Sequence, residues 1–152
     1  MQQEVLFLCT GNSSRSQMAE AIVNARPAGD WHARSAGTAP ADLIHPLAIR
    51  VLAEIGIQHD GSPKHVDGFR EVPFDVVVTV CDDASEACPM WLGGGRRVHL
   101  RFPDPAKVAG TEEQVLTAFR LVRDDILAQV AALLYDLAGA ASAEPGLGSR
   151  LA

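Results

Sequence analysis

Cys9 closes the apolar run Val5-Leu6-Phe7-Leu8 and opens Cys9-Thr10-Gly11-Asn12-Ser13-Ser14-Arg15-Ser16. A cysteine, five small or polar residues and an arginine, placed after a strand and before a helix, have a mechanism in common. A loop that short curls until several backbone N–H groups face one point, and the helix N-terminus adds partial positive charge there. A tetrahedral oxyanion suits that cup, and the planar fork of Arg15 can grip two of its oxygens. Cys9 lies in the same field and is expected to react as thiolate, the nucleophilic form. Thr10, Gly11, Asn12, Ser13, Ser14, Arg15 and Ser16 are therefore the expected substrate-binding residues. Read without its context, Cys9 would be a small buried hydrophobe, as many strand-end cysteines are.

Two further groups of residues can complete such chemistry. Asp104-Pro105 follows the run Arg97-Val98-His99-Leu100-Arg101-Phe102. If Cys9 attacks an oxyanion, the departing oxygen needs a proton, and an aspartic acid above the cup is a suitable donor. The competing reading of Asp104 is a turn residue before proline. Cys81 and Cys88 form the other group. Asp83 to Ala87 reads as a short helix that Pro89 ends, followed by Gly93-Gly94-Gly95. Were both cysteines helical, seven residues would part their Cα atoms by roughly 10 Å, beyond the about 7 Å that a disulfide spans. They can pair only if this weak segment unwinds. His99 falls on the opposite face of its strand from Val98 and Leu100 and is expected to be structural or solvated.

These residues need a frame. The chain has 152 residues, 47% hydrophobic and 21% charged, which suits one soluble domain with a proper core. A formal charge of -6 argues against nucleic acid as a partner. No apolar run is long enough to span a membrane, and the N-terminus lacks the basic region of a signal peptide. A cytoplasmic, monomeric protein is expected, and three cysteines there imply catalytic or redox thiols rather than a disulfide framework. The spacing of Cys81, Cys88 and His99 matches no familiar zinc site.

Strand and helix signals alternate. Val5–Leu8 is followed by a helix from about Ser16 to Arg26, with Met18, Ala19, Ile22 and Ala25 on its apolar face. Residues 32–38 form a weaker strand. Pro46 opens a second helix with the stripe Leu47, Ala48, Val51, Leu52 and Ile55, and Gly56 closes it. Phe74–Cys81 is continuous and β-branched, the pattern of a strand covered on both faces. Thr111-Glu112-Glu113-Gln114 is a capping box opening the longest helix, with apolar positions Val115, Phe119, Val122, Ile126, Val130, Leu133 and Leu137. The expected fold is an α/β four-stranded parallel sheet with helices on both faces. Residues 1–138 form one catalytic domain and 139–152 a flexible tail. Ligands bind such sheets at the C-terminal ends of the strands, where Cys9, Cys81 and the segment after Phe102 converge.

Taken together, these pieces resemble the thioredoxin-coupled arsenate reductases, which have the low-molecular-weight tyrosine phosphatase fold. The resemblance runs from Val5 to about Ile126. It rests on Cys9 to Glu20, Ser35-Ala36-Gly37-Thr38, Val78-Thr79-Val80-Cys81 with Cys88-Pro89, Phe102 to Ala106, and Phe119 to Ile126. It implies a relay of thiols. Cys9 attacks arsenate held by the loop and Arg15 while Asp104 protonates the leaving oxygen. Cys81 attacks the Cys9 adduct and releases arsenite, then Cys88 attacks Cys81 and frees Cys9, and thioredoxin reduces the final disulfide. Asn12 would shape the loop and Ser16 would hydrogen-bond the thiolate. No tightly bound cofactor is implied; some members hold a potassium ion through residues matching Asn12, Glu20 and Ser35 and an acid farther on. Ser14 stands where relatives often carry another cysteine. A tyrosine phosphatase of the same fold would need only Cys9, Arg15 and Asp104, but such enzymes usually place proline and aromatics where Gln17 and Ala106 stand here. A cysteine phosphocarrier leaves Arg15 and the cysteine pair unexplained, and a redox-sensing module leaves Asp104 idle.

Overall fold

The computed structural model describes residues 2–26, 30–82 and 90–143, the side chains of 140–143 excepted. Four strands, β1 (Gln3–Cys9), β2 (Trp31–Gly37), β3 (Val76–Thr79) and β4 (Arg96–His99), form one sheet in the order β2-β1-β3-β4. All three pairings are parallel. Three α-helices accompany them: α1 (Arg15–Asn24), α2 (Pro46–Glu54) and α3 (Glu112–Ala143). A connection between parallel strands must cross over the sheet, which is why strands and helices alternate along this chain.

β1 is central, and Val5 through Leu8 are fully buried on both faces. Its odd-numbered residues Val5, Phe7 and Cys9 join the core shared with α1, α2 and α3. Leu6 and Leu8 face a second, smaller core made with Val66, Phe74, Val77 and Trp91. Among the described residues, the helical cover on that side is a 3₁₀ turn, Val66–Phe69. Trp91 fills the rest, donating its ring N–H to the Gly94 carbonyl at 2.8 Å. The glycine run has a packing reason here. A Cβ on Gly93 would strike the Trp91 ring, and Gly95 has φ +98°, where a Cβ would lie 2.5 Å from the Phe74 carbonyl oxygen.

Several elements differ from expectation in extent. β3 and β4 are shorter than the runs that suggested them, and at their shared end Thr79 Oγ1 and His99 Nδ1 lie 2.6 Å apart. On α1, Ala25 is exposed, whereas Gln17, Ala21 and Val23 are buried alongside Met18, Ala19 and Ile22. The first helix is enclosed on more than one side, so a single stripe underdescribes it. On α3, Leu116 and Leu134 are buried, while Val115, Leu133 and Leu137 only flank the core. The helix continues through Ala143, past the expected boundary at 138. Its start is the expected capping box, with Thr111 N–H on Gln114 Oε1 at 2.8 Å and Gln114 N–H on Thr111 Oγ1 at 3.2 Å. No helix among the described residues is long and apolar enough to cross a membrane.

The strand order carries the functional consequence. From β1 the chain moves to β2 on one side, then to β3 on the other. The crevice beyond the C-terminal end of β1 lies at that reversal, where helices diverge and leave room for a ligand.

Candidate active site

Cys9 ends β1, and the next five residues turn the chain into α1. The turn depends on Asn12, whose φ of +49° is left-handed, a conformation that asparagine tolerates better than most residues. The carbonyls of Thr10, Gly11 and Ser13 accept N–H groups of Ala39, Ala41 and His45 at 3.0, 2.9 and 3.0 Å. The Asn12 carbonyl accepts from Gln17 Nε2 at 3.2 Å. Each peptide is planar, with its C=O and the following N–H pointing opposite ways. Four carbonyls bound to surrounding segments therefore turn the N–H groups of Gly11, Asn12, Ser13 and Ser14 toward the interior of the loop. The Asn12 N–H reaches Cys9 Sγ at 3.2 Å.

Ser16, in the first turn of α1, lies 2.8 Å from Cys9 Sγ. Its oxygen already accepts from Asn12 Nδ2 at 2.8 Å, which leaves the hydroxyl proton to donate to sulfur. Both Ser16 and Asn12 are fully buried. They stand behind the loop and fix the nucleophile. Cys9 borders a cavity of about 90 Å³, lined also by Gly11, Ser13, Ser14, Arg15, His45, Asp104 and Ala106. The expected substrate-binding set thus divides: Gly11, Ser13, Ser14 and Arg15 line the cavity, and Thr10, Asn12 and Ser16 do not.

Arg15 is 4% exposed and is oriented from its far side, where Nη1 donates to the Phe102 carbonyl at 3.1 Å. Its Nη2 lies 3.6 Å from Asp104 Oδ2. Asp104 caps the 3₁₀ turn Pro105–Lys107, accepting the Ala106 N–H on Oδ1 at 3.0 Å, which leaves Oδ2 for the cavity. Cys9, Arg15 and Asp104, up to 95 positions apart in sequence, therefore share one small cavity.

Cys81 follows β3. Since Leu8 pairs with Thr79 and the Val80 N–H continues the ladder to the Leu8 carbonyl at 2.9 Å, Cys81 sits one residue beyond the position opposite Cys9. Cys81 is fully buried and disulfide-bonded, whereas Cys9 is a free thiol. Cys88, and the short helix expected at residues 83–87, lie outside the described residues.

The trio suggested for potassium is close together, but its donors are already engaged. Ser35 Oγ donates to Glu20 Oε1 at 2.8 Å, and the Lys64 ammonium stands 3.6 Å from the same oxygen. His59 Nε2 lies 3.9 Å from Glu20 Oε2. Asn12 Oδ1 accepts both the Lys64 N–H at 2.8 Å and Gln17 Nε2 at 3.0 Å. With these oxygens taken by protein donors and the Lys64 ammonium beside Glu20, the set does not fit potassium. Burial holds His59 below the ordinary imidazole value, with Glu20 opposing. A neutral His59 donates Nε2–H to Gln17 Oε1 at 2.7 Å, which turns the Gln17 amide toward Asn12.

Sequence reasoning missed three of these residues: Gln17, His59 and His45. The first two act through the loop and carry no local signal. His45 announced itself only as the residue before Pro46, an N-cap position.

Comparison with known proteins agrees with this geometry. The family model described as low molecular weight phosphotyrosine protein phosphatase matches residues 4–143. An arsenate reductase of Shouchella clausii is 39% identical over 129 residues, 83% of this chain and 91% of its own. Among solved structures, the arsenate reductase of Archaeoglobus fulgidus has a TM-score of 0.62 at 35% identity, covering 80% of this chain and 98% of that one. A thioredoxin-dependent arsenate reductase of Corynebacterium glutamicum has a TM-score of 0.58 at 25% identity, over 89% of this chain and 63% of that one. With a cysteine–arginine loop at the reversal of a four-stranded parallel sheet and a family match over nearly its whole length, this chain belongs to the low molecular weight phosphotyrosine protein phosphatase family.

Proposed function

We propose that this protein is an arsenate reductase that passes oxidation through Cys9, Cys81 and Cys88 to thioredoxin. The observation that carries the proposal is the pairing of two thiol states: a free Cys9 facing the cavity with Arg15 and Asp104, and a disulfide-bonded Cys81 at the adjacent strand end. The names of its relatives support the substrate, and the name of the Corynebacterium protein supports the reductant.

The steps balance as follows. The Cys9 sulfur attacks arsenic, and one arsenate oxygen leaves as water after taking a proton from Asp104. The inward N–H groups and Arg15 hold the remaining oxygens and their charge. The Cys81 thiolate then attacks Cys9 Sγ. The sulfur–arsenic electron pair passes to arsenic, releasing arsenite, and a Cys9–Cys81 disulfide forms. Cys88 attacks Cys81, expels Cys9 as thiolate and leaves a Cys81–Cys88 disulfide. A dithiol of the thioredoxin class reduces that bond and supplies the two electrons. A free Cys9 beside an oxidised Cys81 corresponds to the state after the Cys88 attack and before that reduction. No resident metal or cofactor is assigned; the Lys64 ammonium supplies the positive charge beside Glu20. The reading places a monomer in the cytoplasm.

A tyrosine phosphatase is the second reading, on the strength of the family name. The cavity wall argues against it as the main activity, since Ala106 offers no ring on which an aryl phosphate could stack.

The decisive measurement is arsenate-dependent NADPH oxidation with thioredoxin and its reductase, beside a glutaredoxin system. Turnover is expected with thioredoxin, none in Cys9→Ser, and none in Cys81→Ser, whose hydrolysis of an aryl phosphate should persist. Turnover surviving Cys9→Ser would remove the nucleophile, and sustained cycling in Cys81→Ser would remove the relay.

A further inference from the structure

His45 caps α2 with one ring nitrogen and lines the catalytic cavity with the rest of the ring. Its Nδ1 accepts the Leu47 N–H at 3.1 Å, which requires a lone pair on that nitrogen. In the neutral ring the proton is then on Nε2. Burial pushes His45 below the ordinary imidazole value, and the nearby Asp104 charge only opposes that shift, so the neutral form dominates near pH 7.

Three contacts hold the ring still. The cap fixes Nδ1, the face rests on Phe119 with centroids 4.7 Å apart, and the backbone N–H donates to the Ser13 carbonyl of the loop at 3.0 Å. Nδ1 is the one ring nitrogen of His45 with a hydrogen-bond partner among the described residues. A fixed, neutral donor thus lines the cavity that it shares with Cys9 and Arg15, with no partner for its Nε2 among the described residues.

We infer that His45 is a further substrate-binding residue, whose Nε2–H donates to an oxygen of the tetrahedral oxyanion. The inference rests on the reading of this cavity as an oxyanion site. A neutral donor is chemically apt there. A neutral imidazole gives the oxyanion a hydrogen bond without adding a second cation to a cavity where Arg15 already stands 3.6 Å from Asp104.

The test uses inorganic phosphate as probe, with calorimetric titration of the full chain at pH 7.5. His45→Asn keeps a side-chain oxygen for the cap but lacks the ring. Its dissociation constant should rise about tenfold over wild type, the loss of one hydrogen bond to a charged ligand. A value within twofold of wild type, with wild type binding phosphate, would overturn the role of His45 and leave the oxyanion site standing. Wild type failing to bind phosphate would overturn both. Should the variant fold poorly, ¹⁵N-histidine spectra of the wild type decide. Nε2 of His45 should be the protonated nitrogen and its proton resonance should move downfield with phosphate; an unmoved resonance would overturn the inference.

Discussion

Asn12 Nδ2 donates to Ser16 Oγ at 2.8 Å, and that bond decides which way the Ser16 hydroxyl proton points. With its oxygen already accepting, Ser16 turns its proton to Cys9 Sγ. Removing either partner should weaken the nucleophile's setting without emptying the cavity. Ser16→Ala is expected to lower kcat/KM for arsenate by about 10- to 100-fold, the worth of a hydrogen bond to a charged atom. Asn12→Ala should do at least as much, because it also frees the loop backbone. Steady-state kinetics beside the rate of Cys9 alkylation by iodoacetamide checks this: both should fall together.

Asp104 offers Oδ2 to the cavity while Oδ1 is held by the Ala106 N–H. Asp104→Asn preserves that cap and removes the acid. The expected result is a fall in kcat of about 100-fold or more, with phosphate affinity within a few-fold of wild type. A variant that lost affinity and kept kcat would assign Asp104 to binding instead.

Gly37 ends β2 where its backbone passes the loop, and a Cβ there would lie 2.3 Å from the Thr10 carbonyl oxygen and 3.0 Å from that of Cys9. Both obstacles are backbone and cannot swing aside. Gly37→Ala is expected to lower Tm by about 4 °C or more and to reduce arsenate turnover more than stability alone explains. Thermal melts paired with kinetics below the transition check it.

Lys64 faces Glu20 at 3.6 Å, a protein cation beside the carboxylate. Exchanging potassium chloride for choline chloride at constant ionic strength should leave turnover within about twofold, small against a tenfold change per 1.4 kcal/mol. In Lys64→Gln, potassium should raise Tm more than choline does. An equal response to both salts in the variant would show that Lys64 does not stand in for an ion.

Glu54 bridges α2 to α3, accepting from Arg120 Nη2 at 2.7 Å and Arg123 Nη1 at 2.9 Å. The Arg120 hydrogen bond, foremost, pulls its carboxyl from the ordinary 4.5 down to about 2. A folded value below the unfolded one means a contribution that is complete above about pH 4.5 and lost as pH falls through about 2. Glu54→Gln should therefore lower Tm by about 2–4 °C at pH 7 and approach the wild-type value by pH 2. A difference that stays constant with pH would assign the effect to packing.

Local patterns made much of this molecule legible. The β-branched run at 76–79, the capping box at Thr111 and the proline that opens α2 each depend on near neighbours, and each element forms where those signals lie. The loop from Cys9 to Arg15 was legible for the same reason: strand, small residues and helix are contiguous. What was not legible is contact between distant segments. Asp104 reads alone as a turn residue, and it is a turn residue; its second oxygen matters because β1 and the segment after β4 share a rim. His59 reaches the loop through Gln17, 42 positions away, and Lys64 reaches it through Asn12, 52 positions away, links that no periodicity encodes. The burial of α1 on several sides was missed because a stripe records one neighbour, and α1 has β1, β2, α2 and α3 around it.

The outward carbonyls of the loop have a last consequence. Three of the four are held by Ala39, Ala41 and His45, in a segment that runs directly into α2, and α2 is clamped to α3 by Glu54 with Arg120 and Arg123. The anion cup thus has no foundation separate from the helical layer. By linkage, an oxyanion that tightens the cup is also a folding ligand for the helices beneath it. Loosening the distant clamp should surface as weaker anion capture before any loss of fold is visible.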